Sequence, residues 1–118
     1  MISIKRVYEL AEKTDGTRFL VERLWPRGMR KSELVMDGWL KEAAPSTELR
    51  QWFHHEPDKW DEFQLKYLKE LKEHPEHWAP IFEAARQGNV TLLYSAHDTQ
   101  HNNALVLMQF MQTLEMSR

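Results

Sequence analysis

The 118-residue chain contains no cysteine. That excludes a disulfide framework, a thiolate nucleophile and any cysteine-ligated zinc or iron–sulfur centre. Glycine is scarce too, with 4 in the whole sequence, and none falls in a Walker loop, a dinucleotide-binding glycine motif or the glycine-flanked serine of a nucleophile elbow. Chemistry built on those loops is not expected, and no cofactor is called for. No apolar run approaches the roughly 18 residues of a membrane span. The opening residues, MISIKRVYEL, lack the apolar stretch of a secretory signal. The chain therefore reads as cytosolic, with no membrane partner. A dominant charge of one sign is missing as well. With a net charge of −2 the molecule has no long-range field that would draw it to nucleic acid, so an anion must be held by local groups.

What is present is ordinary for a globular protein: 42% hydrophobic and 29% charged residues, with a generous 5 tryptophans. One core suffices at this length, so residues 1–118 read as one domain. Residues 2–8 (ISIKRVY) alternate apolar and polar and predict a first strand. After the turn dipeptide Asp15-Gly16, residues 18–25 (RFLVERLW) predict a second strand that Pro26 ends. From Ser32 to Gln87 the apolar spacing becomes helical. Ser32 reads as the cap of a helix carrying Met36, Trp39, Leu40 and Ala43, and Pro45-Ser46 closes it and caps TELRQWF. Pro57 opens a helix with Trp60, Phe63, Tyr67 and Leu71 in one stripe. Pro75 and Pro80 precede IFEAARQ, which Gly88 stops. VTLLYSA, residues 90–96, is the apolar run of a strand covered on both faces, and an apolar helix follows from about Gln100. The pattern predicts the α/β class: a small single-domain sandwich with a short, mostly parallel sheet, a central helical insertion and a C-terminal helix.

In such a sheet ligands collect beyond the carboxyl ends of the strands. Two segments rich in functional groups, RLWPRG and YSAHDTQHNN, fall there together. Arg23 shares a face with Phe19 and Val21, and a guanidinium so placed needs a partner. It is either an ion pair with Asp37, Glu42 or Asp98, or a clamp on a carboxylate or phosphate. Arg27 can reach the same ligand because Gly28 permits an unusual turn, and Trp25 can stack on a planar group. Arg30 and Lys31 read as solvated. Asp98 or Thr99 can cap the last helix, while the free N–H groups of its first turn can take an anion. His101, held by Asp98 or Asn102, has the residue type for a general acid or base. His97 and His101 are spaced as metal ligands, but nothing completes a ligand set and no metal is expected. His74 and His77 flank Pro75 in a turn and carry no specific signal.

These blocks in order, RVY at Arg6, FLVERLWPRG, APSTELRQWFHHEP, WDEFQLKYLKEL and VTLLYSAHDTQHNNALVL, resemble the YeaO-like branch of the family called domain of unknown function 488. The likeness spans nearly the whole chain. It implies no activity to carry over. It does imply a set of recurring polar positions at Arg6, Arg23, Trp25, Arg27, Gly28, Arg50, Asp98, His101 and Asn102. The family has a basic residue where this chain has His97, which implies an anion-facing position. The leading functional expectation is a pocket for a small phosphate- or carboxylate-bearing ligand. In it Arg6, Arg23 and Arg27 hold the charge, Trp25 stacks, and Asp98 with His101 orients or moves a proton, as a hydrolase or transferase would need. The alternatives are nucleic-acid binding through residues 23–31 and a structural or interaction protein that forms a homodimer.

Overall fold

The computed structural model describes residues 1–116. Strands β1 (Ile2–Arg6), β2 (Thr17–Leu20), β3 (Gly38–Trp39) and β4 (Val90–Tyr94) form one parallel sheet in the order β1-β4-β2-β3. The VTLLY run takes the central place because every one of its residues is buried. It pairs with β1 from Ile2↔Val90 to Arg6↔Tyr94 and with β2 from Thr17↔Val90 to Leu20↔Leu93.

The two faces of the sheet are covered by different material. Ile2, Ile4, Phe19, Val21, Val90, Leu92 and Tyr94 pack in one core with the helices α1 (Thr47–Phe53), α2 (Trp60–Glu73), α3 (Pro75–Gln87) and α4 (Asn103–Met116). Val7, Leu20 and Leu93 belong to a second cluster, covered by Trp25, Met29, Leu34 and Met36 from a non-helical segment. The helices are the α/β layer that the sequence predicts. Ser46 caps α1 by accepting from Leu49 N at 3.1 Å, and Glu70 fixes that cap through Ser46 N and Oγ. The stripe of α2 buries Phe63, Tyr67 and Leu71. Full burial of side chains of this size contributes about 1.5–3 kcal/mol each before entropy is counted. Among the described residues no helix is long and apolar enough to cross a membrane.

Several local expectations are corrected. The helix expected from Ser32 does not form; residues 31–33 make a turn, and Gly38-Trp39 pairs with Phe19-Leu20 as the edge strand β3. Met36 and Trp39 face the second cluster while Leu40 packs on the helical core. Their spacing reflects a chain crossing the sheet edge, which mimics a helical repeat. Gly38 belongs there because a Cβ would stand 3.3 Å from the Phe19 ring. Strand β2 ends at Leu20 rather than Trp25: Val21 N still donates to Leu93 O, and then the carbonyl of Glu22 turns to accept from Trp39 Nε1 at 2.7 Å. Strand β1 likewise ends at Arg6 instead of Tyr8. Helix α3 begins at Pro75 and carries Pro80 inside it. The missing N–H is tolerated because Glu76 and Pro80 both lie exposed, where water can serve the freed carbonyl. Helix α4 starts at Asn103, later than the expected Gln100.

Candidate functional site

Because all four strands are parallel, their carboxyl ends open onto one edge. At the end of β2, Glu22 Oε1 accepts from Ser95 N at 3.0 Å and also from Ser95 Oγ, which ties β2 to the residue just past β4. Behind this pair Asn103 Nδ2 donates to Val21 O at 2.7 Å, near the fully buried Tyr67. Tyr67 in turn donates to Ala43 O, and its burial pushes the phenol far above its ordinary range.

The loop before α4 is organised by two short polar side chains. Asp98 Oδ1 accepts from Gln100 N and His101 N, and Oδ2 meets His101 Nδ1 at 2.8 Å. The Gln100 bond first, and then that of His101, hold the Asp98 carboxyl below its ordinary range, so it stands as a charged partner to the imidazole. The helix cap is neither Asp98 nor Thr99, as the sequence suggests, but Asn102, whose Oδ1 accepts from Leu105 N at 2.9 Å. Asp98 is unavailable because its own turn already uses its carboxylate.

The His101 ring meets Trp60 edge-on, with centroids 5.1 Å apart. Trp60 packs on Phe53, and Phe53 touches His55 at 5.9 Å. His54 and His55 both have positive φ, 45° and 55°. Two successive left-handed residues other than glycine store strain, a feature that concentrates at functional sites. Arg50, exposed on α1, and His55 both act on Glu22 through their charge.

The residues singled out from the sequence scatter into different jobs. Arg6 donates from Nε to Ala96 O at 2.9 Å and from Nη2 to Ser95 O, and it lies over the Tyr8 ring with His97 Nδ1 3.4 Å away. Arg23 donates to Pro45 O, Ala44 O and Glu42, so its acidic partner is Glu42 and not Asp37 or Asp98. Trp25 stacks edge-on with Trp39 at 5.3 Å and donates to Met29 O, within the second cluster. Gly28 has φ of 72°, the left-handed turn that glycine permits, and Arg27 beside it is exposed. The structure thus brings Asp98 and His101 together, with Asn102 beneath them, and keeps the Trp25–Gly28 turn on the sheet's other face. Glu22, Ser95, His55 and Trp60 are not among the site residues expected from the sequence, which places Trp60 in the apolar stripe of its helix. The one available signal was position: Ser95 follows directly on β4, and Glu22 stands two residues past the end of β2.

Glu22 gives this edge a pH dependence. Burial raises its pKa above the ordinary 4.5, against the lowering pull of the Ser95 hydrogen bonds and of His55 and Arg50. A carboxyl raised on folding contributes its full stability below its unfolded value, and the contribution is lost as pH rises through the folded value. Glu22→Gln, which stays neutral, is therefore expected to gain stability relative to wild type as pH rises from about 4 to about 7. Urea denaturation across that range checks the sign.

Over residues 1–117 the chain matches the profile of a family described as "Inactive DUF488-N3 subclade". It is 47% identical over 113 residues to "Uncharacterized protein YeaO" of Escherichia coli (strain K12), covering 96% of this chain and 98% of that protein. It is 36% identical over 110 residues to "Uncharacterized protein Rv3073c" of Mycobacterium tuberculosis (strain ATCC 25618 / H37Rv), covering 93% of this chain and 92% of that one. The same figures hold for "Uncharacterized protein Mb3100c" of Mycobacterium bovis (strain ATCC BAA-935 / AF2122/97). No solved structure matches.

Proposed function

The chain belongs to the DUF488 family, and from its match to the subclade described as inactive we propose that it binds a small anionic ligand at the carboxyl edge of the sheet without turning it over. The observation that carries this reading is the pair of imidazoles, His55 and His101, at the two ends of the Phe53–Trp60 contact, with the charge of Arg50 acting on Glu22 at the same edge. Asp98 accepts from Nδ1 of His101, so it is the protonated ring whose Nε2 donates to a ligand oxygen. Trp60 supplies an apolar wall for the rest of the molecule. Arg6 and Arg23, the sequence's first choices for holding charge, already serve main-chain carbonyls, so Arg50 takes that role here. The ligand class is a phosphate- or carboxylate-bearing metabolite, nucleotides included, met in the cytosol. A binding role also fits Asp98, whose two oxygens are occupied by its own turn and by His101.

Thermal-shift screening of wild type and of the Arg50→Ala/His101→Ala variant against phosphate, nucleotides, sugar phosphates and small carboxylates tests the reading. A ligand at a hundred times its Kd stabilises the native state by about 2.7 kcal/mol, and the variant is expected to lose that gain. Stabilisation of both proteins alike, or by single-stranded oligonucleotides alone, would reject it. The latter result would favour the exposed cations Arg27, Arg30 and Lys31.

A further inference from the structure

A second group of functional side chains stands at the junction of α2 and α3, away from the Asp98–His101 pair. His74 ends α2, and Pro75 then starts α3, so Glu76 and His77 follow in its first turn. This short connection stacks the His74 and His77 rings, 4.7 Å between centroids and 14° from parallel. Glu76 Oε2 lies 3.1 Å from His74 Nδ1 and 3.5 Å from His77 Nε2. One ligand atom from each of the three residues falls within 4.8 Å of the others. Two imidazole nitrogens and a carboxylate oxygen that converge in this way are the donor set that borderline-soft divalent ions choose over magnesium or calcium.

The surroundings favour a cation as well. His74 and His77 line a cleft of about 270 Å³ whose other charged walls are Glu42, Glu48, Glu70 and Glu73 against the single cation Arg23. Glu42 is engaged by Arg23 and Glu70 by Ser46. The carboxylates of Glu48 and Glu73 have no hydrogen-bond or ion-pair partner among the described residues. Their negative potential raises the local concentration of a dication. Three protein ligands leave a fourth position free, the arrangement of a zinc site that can accept water or a small ligand.

We propose that His74, Glu76 and His77 form a binding site for a divalent transition-metal ion of the zinc class at the mouth of this acidic cleft. The side chains are exposed or half-buried, so the coordinating distances are reached by rotation about side-chain bonds without refolding the backbone. Calorimetric titration with Zn²⁺ alone, at neutral pH in a non-chelating buffer, tests the site. Wild type is expected to bind one equivalent, and Mg²⁺ is expected to give no comparable heat. Loss of a ligand's hydrogen-bond partner alone weakens zinc binding roughly 10–100-fold, so His77→Ala should weaken it by at least as much, and His74→Ala/His77→Ala should abolish it. The His97→Ala/His101→Ala variant should bind like wild type. In parallel, the ring proton signals of His74 and His77 should be the first histidine signals to shift in an NMR titration. Equal Zn²⁺ affinity in wild type and the His74/His77 double variant would overturn the proposal. So would loss of binding in the His97/His101 variant. Neither readout involves the anion, so the two proposed sites stand or fall separately.

Discussion

Replacing Asp15 with alanine is expected to destabilise the protein by about 3–5 kcal/mol, because it strands a buried guanidinium. Arg18 is 4% exposed and Asp15 8%, and Arg18 Nη1 donates directly to Asp15 Oδ2. The same carboxylate accepts from Glu12 N at 3.0 Å and from Lys5 Nζ at 3.1 Å, while the Asp15 carbonyl accepts from Thr91 Oγ1 at 2.8 Å. One residue thereby joins β1, β2 and β4 at the amino end of the sheet. Removing it also leaves Arg18 Nε on Val35 O with no countercharge, so the segment over the second face loosens. Against a total stability of about 5–15 kcal/mol for a native protein this is a large fraction. Burial by itself would raise the Asp15 pKa, but the bonds from Glu12, Lys5 and Arg18 outweigh it and hold the carboxyl below its ordinary 3.8. A depressed carboxyl contributes stability above its unfolded value, and the contribution is lost as pH falls through the folded value. The stability gap between wild type and Asp15→Ala should therefore narrow in acid, opposite in sign to the trend expected for Glu22. Urea denaturation at neutral pH and below about pH 3 measures both effects.

The neighbouring Gly16→Ala is the second large effect. Gly16 has φ of 67° and ψ of −136°, a combination open in practice to glycine alone. A Cβ there would stand 2.0 Å from the carbonyl oxygen of Asn89 and 2.6 Å from its carbon. These are backbone atoms, and no rotamer change moves them. That oxygen accepts from Thr17 N at 2.9 Å and so starts the register of β2 on β4. We expect a loss of roughly 2–4 kcal/mol. Gly88→Ala is the control: a Cβ there meets nothing within 4 Å, so its melting temperature should stay close to wild type.

Both effects show how far the sequence could be read. Asp15-Gly16 is recognisable as a turn dipeptide, yet nothing local reveals that Arg18, Lys5 and Thr91 converge on it from three strands. Elements whose signal is local are legible. VTLLY is wholly buried, Ser46 caps α1, and the 3/4 stripe of α2 faces the core. The segment from Ser32 misleads because Met36, Trp39, Leu40 and Ala43 are apolar at helix-like intervals, while Met36 and Trp39 are positioned by the second face of the sheet and Leu40 and Ala43 by the helical core. The candidate site divides in the same way. Asp98 and His101 lie three residues apart and meet through a local turn that the sequence suggests. Glu22 with Ser95, and His55 with Trp60, depend on strand order and on where α1 ends. Arg6 and Arg23 stand at the expected edge, and Arg23 pairs with Glu42 as one of its expected alternatives, but the other bonds of both go to main-chain carbonyls, which leave no trace in side-chain chemistry.

The proposed anion site lies at the carboxyl edge, between Arg50, His55 and His101. A ¹H–¹⁵N NMR titration of the full chain with inorganic phosphate and with a nucleoside monophosphate tests it most directly. Saturable shifts are expected, confined to Glu22, Arg50, His55, Ser95 and residues 98–103, and they should disappear in Arg50→Ala/His101→Ala. Shifts centred on residues 27–31, or no saturable shift at the carboxyl edge with any anion, would contradict it.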